Sequence, residues 1–182
     1  MKFSHIATAA ALSLTALASQ AALVSAGTYT CSLTDVTPGA TACSGAWAGN
    51  DKNQTADVLT ELGVLSAGTW AYVGSSDTAT TFGPFTGNPE SNNGTLTLDG
   101  PISGTFAIAL KGGNEFSLYV WEDVMDVNAV LFTMGGQSAL SHASLYQSDR
   151  LVPAIPEPST YALMLAGLGA IGLVARRRRA QK

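Results

Sequence analysis

Large apolar side chains alternate with small residues at a period of two over 102–110, and the alternation resumes over 116–121. A period of two places successive side chains on opposite faces of a β-strand. Between the two stretches lies Lys111-Gly112-Gly113-Asn114, whose glycines tolerate the positive φ of a tight turn. The pattern predicts a β-hairpin here, preceded by a turn at Asp99-Gly100-Pro101.

Short apolar runs between turn residues predict further strands, and one helix is also predicted. The additional strands are expected at 28–33, 69–73, 127–133 and 143–146. Residues 56–62 have a helical apolar spacing, and Gly63 is placed to end the helix as a C-cap. Several short strands with Gly-rich turns and little helix predict an all-β fold, an antiparallel β-sandwich or jelly roll.

The first 21 residues have the composition of a secretory signal peptide. Lys2 supplies the positive start, an Ala- and Leu-rich apolar run covers 6–17, and small residues stand at 19 and 21. The run is too short to span a bilayer about 30 Å thick, so we expect cleavage between Ala21 and Ala22, or alternatively after Ala26. The sequence therefore predicts export, with a signal helix over 1–21 and a β-rich ectodomain over 22–151.

A second apolar segment, over about 160–175, predicts a short membrane helix. At 1.5 Å per residue it spans about 22 Å. It follows Pro156-Glu157-Pro158-Ser159-Thr160, whose prolines keep the approach extended. It precedes four arginines that hold the chain end on the cytoplasmic side: Arg176, Arg177, Arg178 and Arg179. The predicted topology places the ectodomain outside the inner membrane.

This order of motif, span and arginine cluster resembles the PEP-CTERM sorting signal over residues 152–182. The resemblance implies that an exosortase, a membrane protease, recognises Pro156, Glu157 and Pro158. It also implies a Gram-negative bacterium, transient anchoring in its inner membrane, and delivery to the cell surface or exopolysaccharide matrix. Exosortase and the inner membrane are the implied partners, and extracellular polysaccharide is a further candidate.

The charge of the ectodomain excludes one class of partner, and its two cysteines indicate a disulfide. Between residues 22 and 151, three Lys or Arg stand against twelve Asp or Glu, a net charge of −9. Such a surface repels phosphate backbones, so we expect no nucleic-acid partner. Cys31 and Cys43 lie in an exported segment and predict a disulfide. No cofactor is predicted.

The ectodomain has few residues suited to catalysis, so we expect a non-enzymatic surface or matrix protein. His142 is its one histidine; no nucleophile motif surrounds it, and we expect it at the surface or a strand edge. Glu122, Asp123 and Asp126 are candidate calcium ligands, or the acids of a secreted hydrolase. The hydrolase is one alternative function.

Three tryptophans supply the other alternative. Trp47, Trp70 and Trp121 could stack on sugar rings, as aromatic side chains do in carbohydrate-binding sandwiches. The sequence therefore leaves open a carbohydrate-binding module of the biofilm matrix. Burial of the three side chains in the core would remove the basis for that hypothesis.

Overall fold

The structure, a computed structural model, describes residues 22–27, 29–77, 82–150 and 167–168. Within these ranges the strands form one antiparallel sheet of order β1-β5-β4-β6-β3, in which β2 also pairs with β5. The all-β class is confirmed. The elements are β1 (Val36–Thr37), β2 (Ala42–Ala48), α1 (Thr55–Leu65), β3 (Trp70–Ser75), β4 (Asn93–Gly112), β5 (Glu115–Thr133) and β6 (Leu140–Ser148).

The hairpin of β4 and β5 forms the centre of the sheet. It turns at Gly113, whose φ is +58°, in the segment where the glycines predicted a turn. The predicted turn at 99–101 is wrong, because these residues lie inside β4 and both halves of β4 pair with β5. The turn residues that interrupt the apolar alternation lie where the pairing of β4 with β5 shifts register, between Thr97 and Phe106. The strands predicted at 116–121 and 127–133 are likewise two parts of β5.

Both faces of the hairpin are buried next to its turn, over 104–112 of β4 and 116–121 of β5. One face belongs to a large core that combines residues from both halves of the hairpin, including Leu96, Leu98, Phe106, Ile108, Tyr119, Trp121, Val130 and Phe132. Residues from both halves of the hairpin therefore contribute to one core. The described strands nevertheless belong to one hydrogen-bonded sheet, so the predicted sandwich or jelly roll is not confirmed.

The helix α1 belongs to the opposite face, the helix-side core. It contributes Val58 and Leu62, which cluster with Phe116, Leu118 and Val120 of β5, among others. These β5 side chains are the ones that the alternation placed together. The predicted C-cap at Gly63 is wrong: the helix continues to Leu65, which packs against this core, and the N–H of Ser66 donates to the carbonyl of Leu62 at 2.9 Å.

The segment before β1 differs from its prediction. The strand expected at 28–33 is not formed over its described residues, 29–33, and a 3-10 turn occupies Leu33–Asp35. Individual backbone hydrogen bonds connect this segment to β2 instead. In one of them the N–H of Cys31 donates to the carbonyl of Gly45 at 3.3 Å. The predicted disulfide between Cys31 and Cys43 is confirmed, at a sequence separation of 12. Closing a loop of this size stabilises the fold by about 3 kcal/mol.

The signal peptide predicted over 1–21 lies outside the described residues, and so does the sorting tail apart from 167–168, which are helical. The predicted membrane helix over about 160–175 and Arg176, Arg177, Arg178 and Arg179 belong to that tail. In the described parts of the chain, no helix is long and apolar enough to cross a membrane.

Candidate functional site

A buried cluster of ionisable side chains joins β6, the loop before α1 and the end of β3. The Nε2 atom of His142 lies 2.8 Å from Oδ1 of Asp51, and its Nδ1 lies 3.4 Å from Oδ2 of Asp77. The hydroxyl of Tyr146 donates to Oδ2 of Asp51 at 3.3 Å. On the solvent side, Nζ of Lys52 lies 2.7 Å from Oδ1 of Asp77. The cluster thus links three segments that are distant in sequence.

Burial or hydrogen bonding raises the pKa of two residues in this cluster, Tyr146 and Lys52. His142 and Asp51 are 2% and 0% exposed. Burial, followed by the charge and hydrogen bond of Asp51, raises the pKa of Tyr146, so its hydroxyl stays protonated and donates. The hydrogen bond to Asp77 raises the pKa of Lys52. Both nitrogens of the buried imidazole lie within 3.4 Å of a carboxylate oxygen, from Asp51 on one side and Asp77 on the other.

The expectation that His142 lies at the surface or a strand edge is wrong. It lies on β6, which pairs with β4 on one side and with β3 on the other. Its side chain is four residues from buried Tyr146 and therefore on the same face of the strand. This spacing of four residues from an aromatic side chain is the feature of the sequence that could have indicated burial of His142. Its partner Asp51 is 91 positions away, and the alternation of β6 carries no information about that residue.

Asp77 gives the cluster a pH dependence. Burial acts to raise the pKa of Asp77, but hydrogen bonds from Lys52 and Ser75 and the charge of His142 outweigh it and lower the pKa. A carboxylate whose pKa is lower in the folded state stabilises the fold above its ordinary pKa of about 3.9. That stability is lost as the pH falls through the folded value.

We therefore expect Asp77→Asn to flatten the loss of stability below about pH 4. Urea unfolding of the mature protein between about pH 6 and pH 3 measures this slope. Asp99→Asn, at an exposed position of β4, is the matched control and should leave the slope unchanged. Equal slopes for Asp77→Asn and the parent protein would contradict the assignment.

The three acidic residues suggested for calcium or hydrolysis do not surround a common centre. Nη1 of Arg150 lies 3.1 Å from Oε1 of Glu122, and its Nη2 lies 3.0 Å from Oδ2 of Asp123. Asp126 accepts a bond from the hydroxyl of Ser103 at 3.4 Å. Among the described residues, no three His, Cys, Asp or Glu side chains form a group that could hold a metal ion. The sequence reasoning missed Arg150.

Two of the three candidate sugar-binding tryptophans are core residues. Trp70 is 7% exposed, and its Nε1 donates to the carbonyl of Ser66 at 3.2 Å. Trp121 is 1% exposed and stacks on Phe106, with ring centroids 4.9 Å apart. Trp47 is half-buried on β2 and packs against the helix-side core. The buried rings of Trp70 and Trp121 present no face to a sugar.

A shallow groove of about 440 Å³ lies across the ends of β1, β5 and β4. Its lining combines hydroxyl and amide side chains with Leu131, which is 53% exposed. The polar contributors are Thr34, Asp35, Thr37, Asn93, Thr95 and Thr133, so the lining also includes a carboxylate. The groove can hydrogen-bond a polar ligand, and none of the three tryptophans lines it.

The predicted sorting residues lie outside the described part of the chain, so similarity to known proteins supplies the evidence for them. The family model described as the PEP-CTERM protein-sorting motif matches residues 154–179. The matched segment contains Pro156, Glu157 and Pro158, and it ends at the arginine cluster. No curated protein and no solved structure matches the chain. The chain therefore carries the PEP-CTERM protein-sorting motif over residues 154–179.

Proposed function

We propose that this protein is an exported, non-enzymatic component of the cell surface or exopolysaccharide matrix, delivered by an exosortase. The match of residues 154–179 to the PEP-CTERM sorting motif carries the proposal. The motif implies exosortase sorting and export through the membrane of a Gram-negative bacterium to the cell surface.

In this route the signal peptide is removed between Ala21 and Ala22 during export. The apolar segment over about 160–175 then holds the protein in the inner membrane, with the arginine cluster in the cytoplasm. The exosortase reads Pro156, Glu157 and Pro158 and cleaves near them. A span of about 22 Å suits a temporary anchor, because it is shorter than the bilayer core.

The state of the ionisable residues supports a non-catalytic ectodomain. His142 is shielded and faces two carboxylates, Asp51 and Asp77. Glu122 and Asp123 are paired with one guanidinium. A hydrolase would need an acid and a base held across a cleft. The pairing of these groups therefore favours a structural role over hydrolysis.

The sorting motif provides the direct test. We expect the double variant Pro156→Ala/Glu157→Ala to accumulate uncleaved in the membrane fraction, because the exosortase no longer recognises it. Immunoblots of membrane, surface and medium fractions measure chain size and location. Pro153→Ala, just before the matched segment, is the control and should be processed normally. Equal size and location in cells with and without the exosortase would contradict the proposed delivery.

Polysaccharide binding is a second candidate function. The hydroxyl- and amide-lined groove between β1, β5 and β4 favours it, whereas stacking on Trp70 and Trp121 is disfavoured by their burial. Glycan-array binding of the released protein, with and without calcium, tests this function separately from delivery.

A further inference from the structure

Three strands of the sheet end in rows of exposed polar side chains. Thr37 of β1 and Thr95 of β4 both lie directly opposite Leu131 of β5, and two residues further along β5, Thr133 lies opposite Asn93. Alternate residues of a strand share a face, and the residue between Leu131 and Thr133 is buried in the large core, so these side chains point away from that core. We call these five exposed side chains the threonine face.

Two shallow depressions meet at Thr95. The groove of about 440 Å³ includes Thr95 in its lining, and so does a second depression of about 290 Å³. The second one also includes Thr97 of β4 and the segment beside that strand, where the N–H of Thr86 donates to the carbonyl of Thr97 at 2.9 Å. A surface that continues from one depression into the other suits an extended chain with repeated hydroxyl groups.

A carboxylate in the lining of the groove is held in one orientation. Oδ2 of Asp35 accepts bonds from the N–H of Ser32 at 2.7 Å, from the hydroxyl of Tyr119 at 2.9 Å and from the hydroxyl of Tyr29. Burial, followed by the hydrogen bond to Asp35, raises the pKa of Tyr29 to about 12, so that hydroxyl stays protonated and donates. No described residue donates to Oδ1 of Asp35. That oxygen can therefore accept a bond from a ligand hydroxyl in the groove.

The charge around the threonine face selects against anionic ligands. Among the described residues that line the two depressions, Asp35 is the one with an ionisable side chain. An acidic sugar polymer would bring further carboxylates to a surface that offers no cation to pair with them. The hydroxyls of a neutral polymer can instead donate to Asp35 and exchange hydrogen bonds with the threonines and with the amide of Asn93.

We propose that the threonine face binds a neutral, hydroxyl-rich polysaccharide, with Asp35 as a fixed acceptor and Leu131 as the apolar contact at its centre. The proposal rests on polysaccharide binding, the second candidate function, and names its site and its ligand class. Threonine is also common on exposed strands, because its branched side chain suits the pleated surface. The experiment must therefore remove the hydroxyls and keep the branched shape.

Replacing threonine by valine does this. We expect Thr37→Val combined with Thr95→Val to weaken binding of a neutral hexasaccharide by roughly tenfold, since two hydrogen bonds to the ligand are lost. The probes are hexamers of glucose, galactose and mannose. Isothermal titration calorimetry of the full chain, in a detergent without sugar headgroups, measures the affinity. Thr60→Val, at an exposed position of α1 outside both depressions, is the matched control and should bind as the parent chain does.

A hexamer of galacturonic acid tests the charge preference. It should bind at least about tenfold more weakly than the best neutral hexamer, and Leu131→Lys, which adds a cation at a position that is 53% exposed, should narrow that difference. Added salt should leave binding of the neutral hexamer unchanged, because salt screens charges and a neutral ligand carries none.

Equal affinity of the parent chain and the double valine variant for the neutral hexamer would overturn the proposal, and so would tighter binding of the galacturonic acid hexamer. Either result would leave polysaccharide binding itself standing, at another surface or for another class of sugar. If the parent chain bound none of the probes and no polysaccharide on a glycan array, the second candidate function would fail together with the proposal, so the two failures are distinguishable.

Discussion

Replacing His142 by Phe is expected to lower the free energy of unfolding by about 3–5 kcal/mol. Asp51 is 0% exposed, and in the variant its carboxylate would lose the imidazole that lies 2.8 Å away. The hydroxyl of Tyr146, at 3.3 Å, would remain as its side-chain hydrogen-bond donor. Because a phenyl ring is larger than an imidazole, no cavity opens, and the loss combines the unpaired carboxylate with some overpacking. Urea unfolding of the mature protein measures it.

A double-mutant cycle identifies the cause of this loss. In an Asp51→Asn background the buried charge is absent, so His142→Phe should cost clearly less than it does in the parent protein. Ser141→Ala, at the exposed neighbouring position of β6, should change stability by less than about 0.5 kcal/mol. Additive effects of the two core substitutions would contradict the assignment of Asp51 and His142 as a coupled pair.

The sequence predicted those parts of the fold in which local alternation and burial agree. Phe116, Leu118 and Val120 face the helix-side core, whereas Tyr119 and Trp121 face the large core, as their period of two requires. The two-residue phase is a property of the strand itself and needs no knowledge of its neighbours. For this reason the hairpin and its turn were predictable.

Elements held by distant partners were not predictable. The sequence of β2 lacks a regular apolar alternation, and the strand exists because it pairs with the first part of β5. The register shifts between β4 and β5 interrupt the hairpin without ending it, so strands predicted as separate belong to one long pair. A pattern along one strand does not specify where its partner shifts register.

The buried ionisable cluster and the sorting motif also differ in how far apart their residues lie in the sequence. Asp51 and His142 are 91 positions apart, and Arg150 meets carboxylates 27 and 28 positions earlier, so chain folding alone brings them together. The sorting motif is instead contiguous, with Pro156-Glu157-Pro158 in one run. An enzyme that reads a short linear segment depends on its order of residues. The sequence therefore indicates the destination of the protein more directly than the role of its ectodomain.

Trp121→Ala is expected to lower the free energy of unfolding by about 3–5 kcal/mol. The indole is 1% exposed and stacks on Phe106 at a centroid distance of 4.9 Å. Its Nε1 also donates to the carbonyl of Pro38 at 2.9 Å, which ties the segment after β1 to the large core. Removal of the ring opens a cavity that the surrounding side chains fill only in part.

Comparison with two further variants separates packing from hydrogen bonding and from sugar binding. Trp121→Phe keeps an aromatic ring but loses the hydrogen bond to the carbonyl of Pro38, an exposed residue, so it should cost less than Trp121→Ala. Trp47→Ala, at a half-buried position, should also cost less than Trp121→Ala. If Trp121 instead served to stack on a sugar, Trp121→Ala would weaken glycan binding while leaving the urea midpoint unchanged. An unchanged midpoint would therefore contradict the core assignment, because a ring enclosed between Phe106 and the segment at Pro38 cannot be removed without loss of packing.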